Sequence, residues 1–137
     1  GGVCVVAYDG DNIYLVKQYR KPYDEVVTEL PAGKLEYGED PLECGKRELL
    51  EEAGMTAENF ESLGKFYSSP GFCSETIYAY LATGLKKFGQ HLDEDEYLDV
   101  IKVKFDDAVK MVMNGEICDG KSVSAILKSA FVLRNKI

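Results

Sequence analysis

One stretch of the chain, residues 33–55, restricts the possible folds more than any other. Gly33 is followed after five residues by Glu39, and after seven more by Arg47-Glu48-Leu49, then Glu51-Glu52 and Gly54-Met55. Asp40-Pro41 is a helix-start signal and Gly54 a stop, which predicts a helix between them. On that helix Glu48 and Glu51 are i and i+3, and Glu48 and Glu52 are i and i+4, so the three carboxylates share one flank. Such crowding is repulsive unless a cation intervenes. Oxygen ligands in this arrangement suit a hard divalent ion, Mg²⁺ or Mn²⁺, with Glu48, Glu51 and Glu52 as metal ligands. The Arg47 guanidinium, next to them, could pair with Glu39 or Glu51 and hold it in place. Gly33 allows close approach of the preceding loop, and the Ala32 carbonyl could join the coordination. Gly33, Glu39 and Arg47 are thus the expected orienting residues.

Around this helix the chain reads as short strands. Residues 3–8 form an apolar, β-branched run, Asp9-Gly10-Asp11-Asn12 is turn chemistry, and residues 13–20 return as a second strand, together predicting a hairpin. Further strands are expected over 26–30 (halted by Pro31-Ala32-Gly33), 62–67, 76–83 and 97–105. Amphipathic helices follow over 106–114 and 122–135, and residues 86–95 read as an acidic loop. Strands, one inserted helix and terminal helices predict an α/β (α+β) domain spanning 1–137, with a mixed β-sheet covered by helices on both faces.

The formal charge of −8 argues against a nucleic-acid footprint. It also means that a phosphate-bearing substrate must be met through cations. Cys4, Cys44, Cys73 and Cys118 are far apart and form no C-x-x-C, so reduced, mostly buried thiols are expected. With no signal peptide and no apolar run long enough for a bilayer, a cytoplasmic protein that engages no membrane is expected. His91 is the single histidine, which disfavours Ser-His and multi-histidine metal chemistry.

The pattern Gly33-x5-Glu39-x7-Arg47-Glu48-Leu49-x-Glu51-Glu52-x-Gly54-Met55 resembles a complete Nudix box. The resemblance implies an α/β/α sandwich, a divalent metal on Glu48, Glu51 and Glu52, and hydrolysis of a nucleoside diphosphate linked to another moiety. Looser segments resemble the ADP-ribose pyrophosphatase subgroup: Leu30-Pro31-Ala32-Gly33-Lys34-Leu35-Glu36, Ser69-Pro70-Gly71-Phe72, Leu81-Ala82-Thr83-Gly84-Leu85 and Leu92-Asp93-Glu94-Asp95-Glu96. That similarity implies a nucleotide-sugar substrate, ADP-ribose cleaved to AMP and ribose 5-phosphate, with Arg20, Lys34, Pro70 and Gly71 as substrate-binding candidates. It marks Glu96 as a mobile catalytic base, with Glu51 and Glu52 as further catalytic candidates. Members of the subgroup carry an N-terminal segment before the hairpin that helps hold adenine and is exchanged in a homodimer. This chain starts at the hairpin, so the segment is expected to be missing here and a homodimer is expected of the full-length form. The alternatives are another substrate of the family, such as a different ADP-sugar or a dinucleoside polyphosphate, or a sensor that binds ADP-ribose without cutting it.

Overall fold

The structure, a computed structural model, describes residues 1–88 and 100–135. Its strands are β1 (Gly2–Ala7), β2 (Asn12–Arg20), β3 (Glu25–Glu29), β4 (Ala32–Lys34), β5 (Met55–Tyr67), β6 (Thr76–Lys87) and β7 (Val100–Lys104). Its helices are α1 (Pro41–Ala53), α2 (Phe105–Met113) and α3 (Gly120–Arg134). A four-stranded mixed sheet has the order β4-β1-β6-β5, and a three-stranded antiparallel sheet the order β3-β2-β7.

β1 is buried at every position. It runs parallel to β6 on one edge and antiparallel to β4 on the other. Alternation along an extended strand then sends its side chains to two different cores. Cys4 and Val6 pack with Ala108, Val112, Ala125 and Ile126 of α2 and α3. Val5 and Ala7 pack with Leu49 and Ala53 of α1. The helices therefore cover opposite faces, and the expected α/β/α sandwich with a mixed sheet is what forms.

The predicted hairpin is not. β1 and β2 meet only at the isolated bridge Tyr8–Ile13 and then part into different sheets. The turn itself forms, with the Asp9 carboxylate accepting from the Asp11 and Asn12 amides at 3.0 and 2.7 Å. Beyond it the two strands part: β1 pairs along its length with β6 and at residues 2–4 with β4, while β2 pairs with β7 over residues 12–16 and with β3 over residues 16–20. Residues 32–34, read as a strand stop, form β4, with Pro31 just outside it, where a missing N–H costs no ladder bond. β5 begins at Met55 rather than 62 and β6 runs to Lys87, because the two pair along their whole length and tertiary pairing overrides weak local propensity. Of the strand expected over 97–105, residues 97–99 lie outside the described residues. α2 begins at Phe105, and α3 begins at Gly120, two residues earlier than expected.

Helix α1 is set by its ends. The Asp40 Oδ2 accepts from the Leu42 and Glu43 amides at 3.1 and 3.3 Å, and Pro41 occupies the first turn. Gly54 closes the helix at φ 67°, a left-handed conformation that glycine adopts at little cost. Cys44, Glu48 and Leu49 lie on the buried side, so one flank carries both core residues and carboxylates. Of the four thiols, all free, Cys4 and Cys44 are buried but Cys73 and Cys118 are exposed, which corrects the expectation of mostly buried cysteines. No helix among the described residues is long and apolar enough to cross a membrane.

Candidate active site

The acidic flank of α1 is organised around Arg47. Its Nε and Nη2 donate to the two Glu39 oxygens, both at 2.9 Å. Its Nη1 donates to Glu48 at 2.7 Å and to Glu51 at 3.2 Å. Nη2 also reaches the Lys34 carbonyl at 3.2 Å, tying the helix to β4. Both pairings expected of Arg47 thus form at once, with Glu48 as a third partner. The hydrogen bonds from Arg47 hold the Glu39 carboxyl down to about 2. Burial raises that of Glu48 despite Arg47 beside it.

Glu48 and Glu52 both press against β4. The Glu52 Oε1 accepts from the Ala32 amide at 3.0 Å. The Glu48 carboxylate lies so close to Gly33 that a Cβ there would overlap it. Gly33 is required for this room and not for an unusual backbone angle, since its φ is not positive. Glu51 is the outermost, with its side chain 58% exposed.

These groups can offer oxygen ligands to a cation, and their chemistry fits a hard divalent ion. In the present arrangement, Arg47 holds Glu48 and Glu51, and the Ala32 amide holds Glu52. Among the described residues no group of three or more His, Cys, Asp or Glu side chains forms a ready-made cage. Binding would have the carboxylates exchange some of these hydrogen bonds for the metal.

Residues 32–34 of β4 also line a cleft of about 540 Å³. Arg20, Lys34 and Lys121 bring positive charge to it, Asp119 and Glu75 negative charge, and Phe66 and Tyr67 supply aromatic surface. Arg20 ends β2, where its Nε and Nη2 donate to Glu29 Oε2 and Oε1, both at 2.7 Å. That edge of the guanidinium is therefore engaged, and its Nη1 has no protein partner among the described residues. Lys121 stands in the first turn of α3 and donates to Glu29 Oε1 at 2.9 Å and Asp119 Oδ2 at 3.0 Å. Burial pushes the Glu29 carboxyl up, but the hydrogen bonds from Arg20 and Lys121 outweigh it and hold it below its ordinary value. Asp119 and Glu29 likewise keep the Lys121 ammonium charged against its burial.

The structure thus places Arg20, Lys34, Ala32 and Gly33 on one cleft, with Glu48 and Glu52 behind β4. Pro70 and Gly71 are exposed and do not line it; they sit at the tip of a loop whose base, Ser68 and Glu75, does. That base is closed by Ser68 Oγ donating to Glu75 at 2.7 Å. Glu96 lies outside the described residues. Glu29, Asp119 and Lys121 were not anticipated. Asp119 carried the available signal, as an N-cap residue ahead of an amphipathic segment.

An acidic helix flank set behind a strand that lines a cation-bearing cleft, in an α/β/α sandwich, is a Nudix-type architecture. The NUDIX domain model matches residues 1–123, and the chain belongs to the Nudix family. The chain is a Nudix hydrolase, and enzymes of this kind generally use divalent metals. It is 45% identical over 129 residues to the methanol dehydrogenase activator of Bacillus methanolicus, covering 92% of this chain and 70% of that protein. It is 43% identical over 129 residues to the ADP-ribose pyrophosphatase of Bacillus subtilis (strain 168), with the same coverage. A crystal structure of an ADP compounds hydrolase superposes with a TM-score of 0.86 at 22% identity, over 98% of this chain and 73% of the other.

Proposed function

We propose that the chain hydrolyses the pyrophosphate of ADP-ribose, releasing AMP and ribose 5-phosphate, with Mg²⁺ (or Mn²⁺) held by Glu48, Glu51 and Glu52 and the Ala32 carbonyl. The observation that carries this reading is the placement of β4. Its Ala32 amide bonds the metal-ligand candidate Glu52 at 3.0 Å, while residues 32–34 line the cleft that holds Arg20, Lys121 and the Phe66–Tyr67 surface. The likeness to ADP-ribose pyrophosphatases, at 43% and 37% identity, supports adenine over other bases.

The divalent ion, when bound, would neutralise phosphate charge, polarise the phosphoryl group and acidify an attacking water. The chain's own residues do the rest. Arg20 Nη1 and the Lys34 ammonium meet the pyrophosphate anion from the cleft side. Phe66 and Tyr67 provide a stacking surface for the base. Arg47 and Glu39 hold the metal-binding flank against β4, so that ligands and substrate share one frame. Glu96 is proposed as the base that removes the proton from water, with Glu52, Glu94 and Asp95 as its competitors and Glu51 as a further catalytic residue. Pro70 and Gly71 are proposed to reach the substrate from the loop tip. We take residues 1–137 as one domain, and a cytoplasmic enzyme that is a homodimer in its full-length form belongs to the same proposal.

A panel of ADP-ribose, other ADP-sugars, dinucleoside polyphosphates and GDP-mannose, assayed with Mg²⁺, tests the reading. GDP-mannose belongs there because a GDP-mannose pyrophosphatase of Yersinia enterocolitica is 30% identical. The expected result is the highest kcat/KM for ADP-ribose, with equimolar AMP. Preference for any other member would overturn the substrate, and binding of ADP-ribose without product would favour a sensor.

A further inference from the structure

We infer that Glu29 is a positioning residue of the cleft, whose single buried carboxylate fixes Arg20 and Lys121 relative to one another and so sets how tightly a pyrophosphate-bearing substrate is held. The inference rests on the proposed function in taking the cleft as the substrate site.

The Glu29 side chain is 3% exposed, whereas that of Arg20 is 44% exposed. The anchor is thus inside and the guanidinium reaches the cleft. One oxygen, Oε1, receives both Arg20 Nη2 at 2.7 Å and Lys121 Nζ at 2.9 Å, and Oε2 receives Arg20 Nε at 2.7 Å. Two cations from β2 and α3, with no hydrogen bond between them, are thereby referred to the same atom.

The network continues and closes on itself. Lys121 donates to Asp119 Oδ2 at 3.0 Å, the Ser122 hydroxyl donates to the same oxygen at 2.6 Å, and the Leu30 amide donates to Ser122 Oγ at 3.0 Å. Leu30 follows Glu29 directly and precedes Pro31 and β4. The ring therefore joins the end of β3, the first turn of α3 and the approach to β4. It contains two cations and two carboxylates, so it creates no net charge in a buried place. What it provides is orientation. Arginine and lysine side chains lose much rotamer freedom when a ligand fixes them, and a carboxylate that fixes them beforehand removes that cost from substrate binding.

The test is a pair of double-mutant cycles read in KM, kcat and Mn²⁺ affinity, with ADP-ribose as substrate. Glu29→Gln keeps the volume and one acceptor oxygen but cannot hold both cations. It is expected to raise KM by about tenfold while kcat stays within about threefold, and to leave Mn²⁺ affinity unchanged. In an Arg20→Ala background the same change should raise KM by much less, because its effect passes through Arg20. A purely structural role would lower kcat and stability and raise KM without this dependence, and an undiminished effect in that background overturns the inference. If Glu29→Gln does not fold, the cycle of Arg20→Ala with Lys121→Gln reads the same link. Coupling of more than about threefold supports it and additivity overturns it. Should Arg20→Ala alone leave KM unchanged, Arg20 does not hold the substrate and the inference is overturned. Release of AMP from ADP-ribose by the parent enzyme, read in the same assay, tests the proposed function separately, so the two failures are told apart.

Discussion

The carboxylate of Glu48 occupies the space in which a side chain at residue 33 would begin. A helix residue and a strand residue are thus matched in size, and the smallest amino acid is required on the strand because a carboxylate is on the helix. Gly33→Ala should push Glu48 away from β4 with no backbone strain of its own. Mn²⁺ affinity should fall by about ten- to a hundredfold, and kcat with it. Calorimetric titration with Mn²⁺ checks this; wild-type affinity would mean that Glu48 is no ligand or that the site tolerates its displacement.

Glu52→Gln keeps size and removes charge. With Glu52 as a metal ligand, kcat should fall by on the order of a hundredfold or more while thermal unfolding changes little. EDTA should silence the enzyme without unfolding it. A variant that turns over at the normal rate in saturating Mg²⁺ would end the ligand assignment.

The Arg47–Glu39 pair gives the fold a pH dependence of definite sign. The Glu39 carboxyl stands at about 2 in the folded chain against an ordinary 4.5. Its contribution to stability is therefore complete above pH 4.5 and disappears as pH falls from there towards 2. Arg47→Lys cannot form the two parallel bonds, so acid unfolding of that variant should begin at higher pH than in the parent. Circular dichroism between pH 2 and 6 measures it, and superimposable acid transitions would show that the pair does not matter.

Thiol chemistry should divide the cysteines evenly. Burial raises the Cys4 and Cys44 thiols to about 12, and both are enclosed, whereas Cys73 and Cys118 are exposed. Titration of the native protein with a thiol reagent such as DTNB should give two fast equivalents, and all four only after denaturation. Four fast equivalents in the native state would contradict the burial of β1 and α1.

What was legible in advance was local. Glu48, Glu51 and Glu52 share a flank because 3.6 residues make a turn, and Asp40, Pro41 and Gly54 mark the helix ends through bonds made within a few residues. These relations hold wherever the helix is placed, so the helix, its acidic flank and the class of chemistry they suit follow from residue spacing. Strand pairing was less legible. The Asp9 turn predicted a hairpin correctly as a turn and wrongly as a ladder, since β1 pairs instead with β4 and β6 and β2 with β3 and β7, partners supplied by other segments of the chain.

Tertiary structure alone decided what stands opposite each carboxylate. Glu29 and Lys121 lie 92 positions apart in the sequence, and only the packing of α3 against the sheet brings them within 2.9 Å. The same packing unites Arg20 with them and makes the cleft. Likewise Glu52 reaches the Ala32 amide, and Glu48 the face of Gly33, because β4 is stitched to β1 beside α1. Periodicity carries direction but not partners: a side chain's flank follows from its own helix, whereas the charge it meets is supplied by chain segments whose approach costs loop-closure entropy and is settled only when the whole core closes.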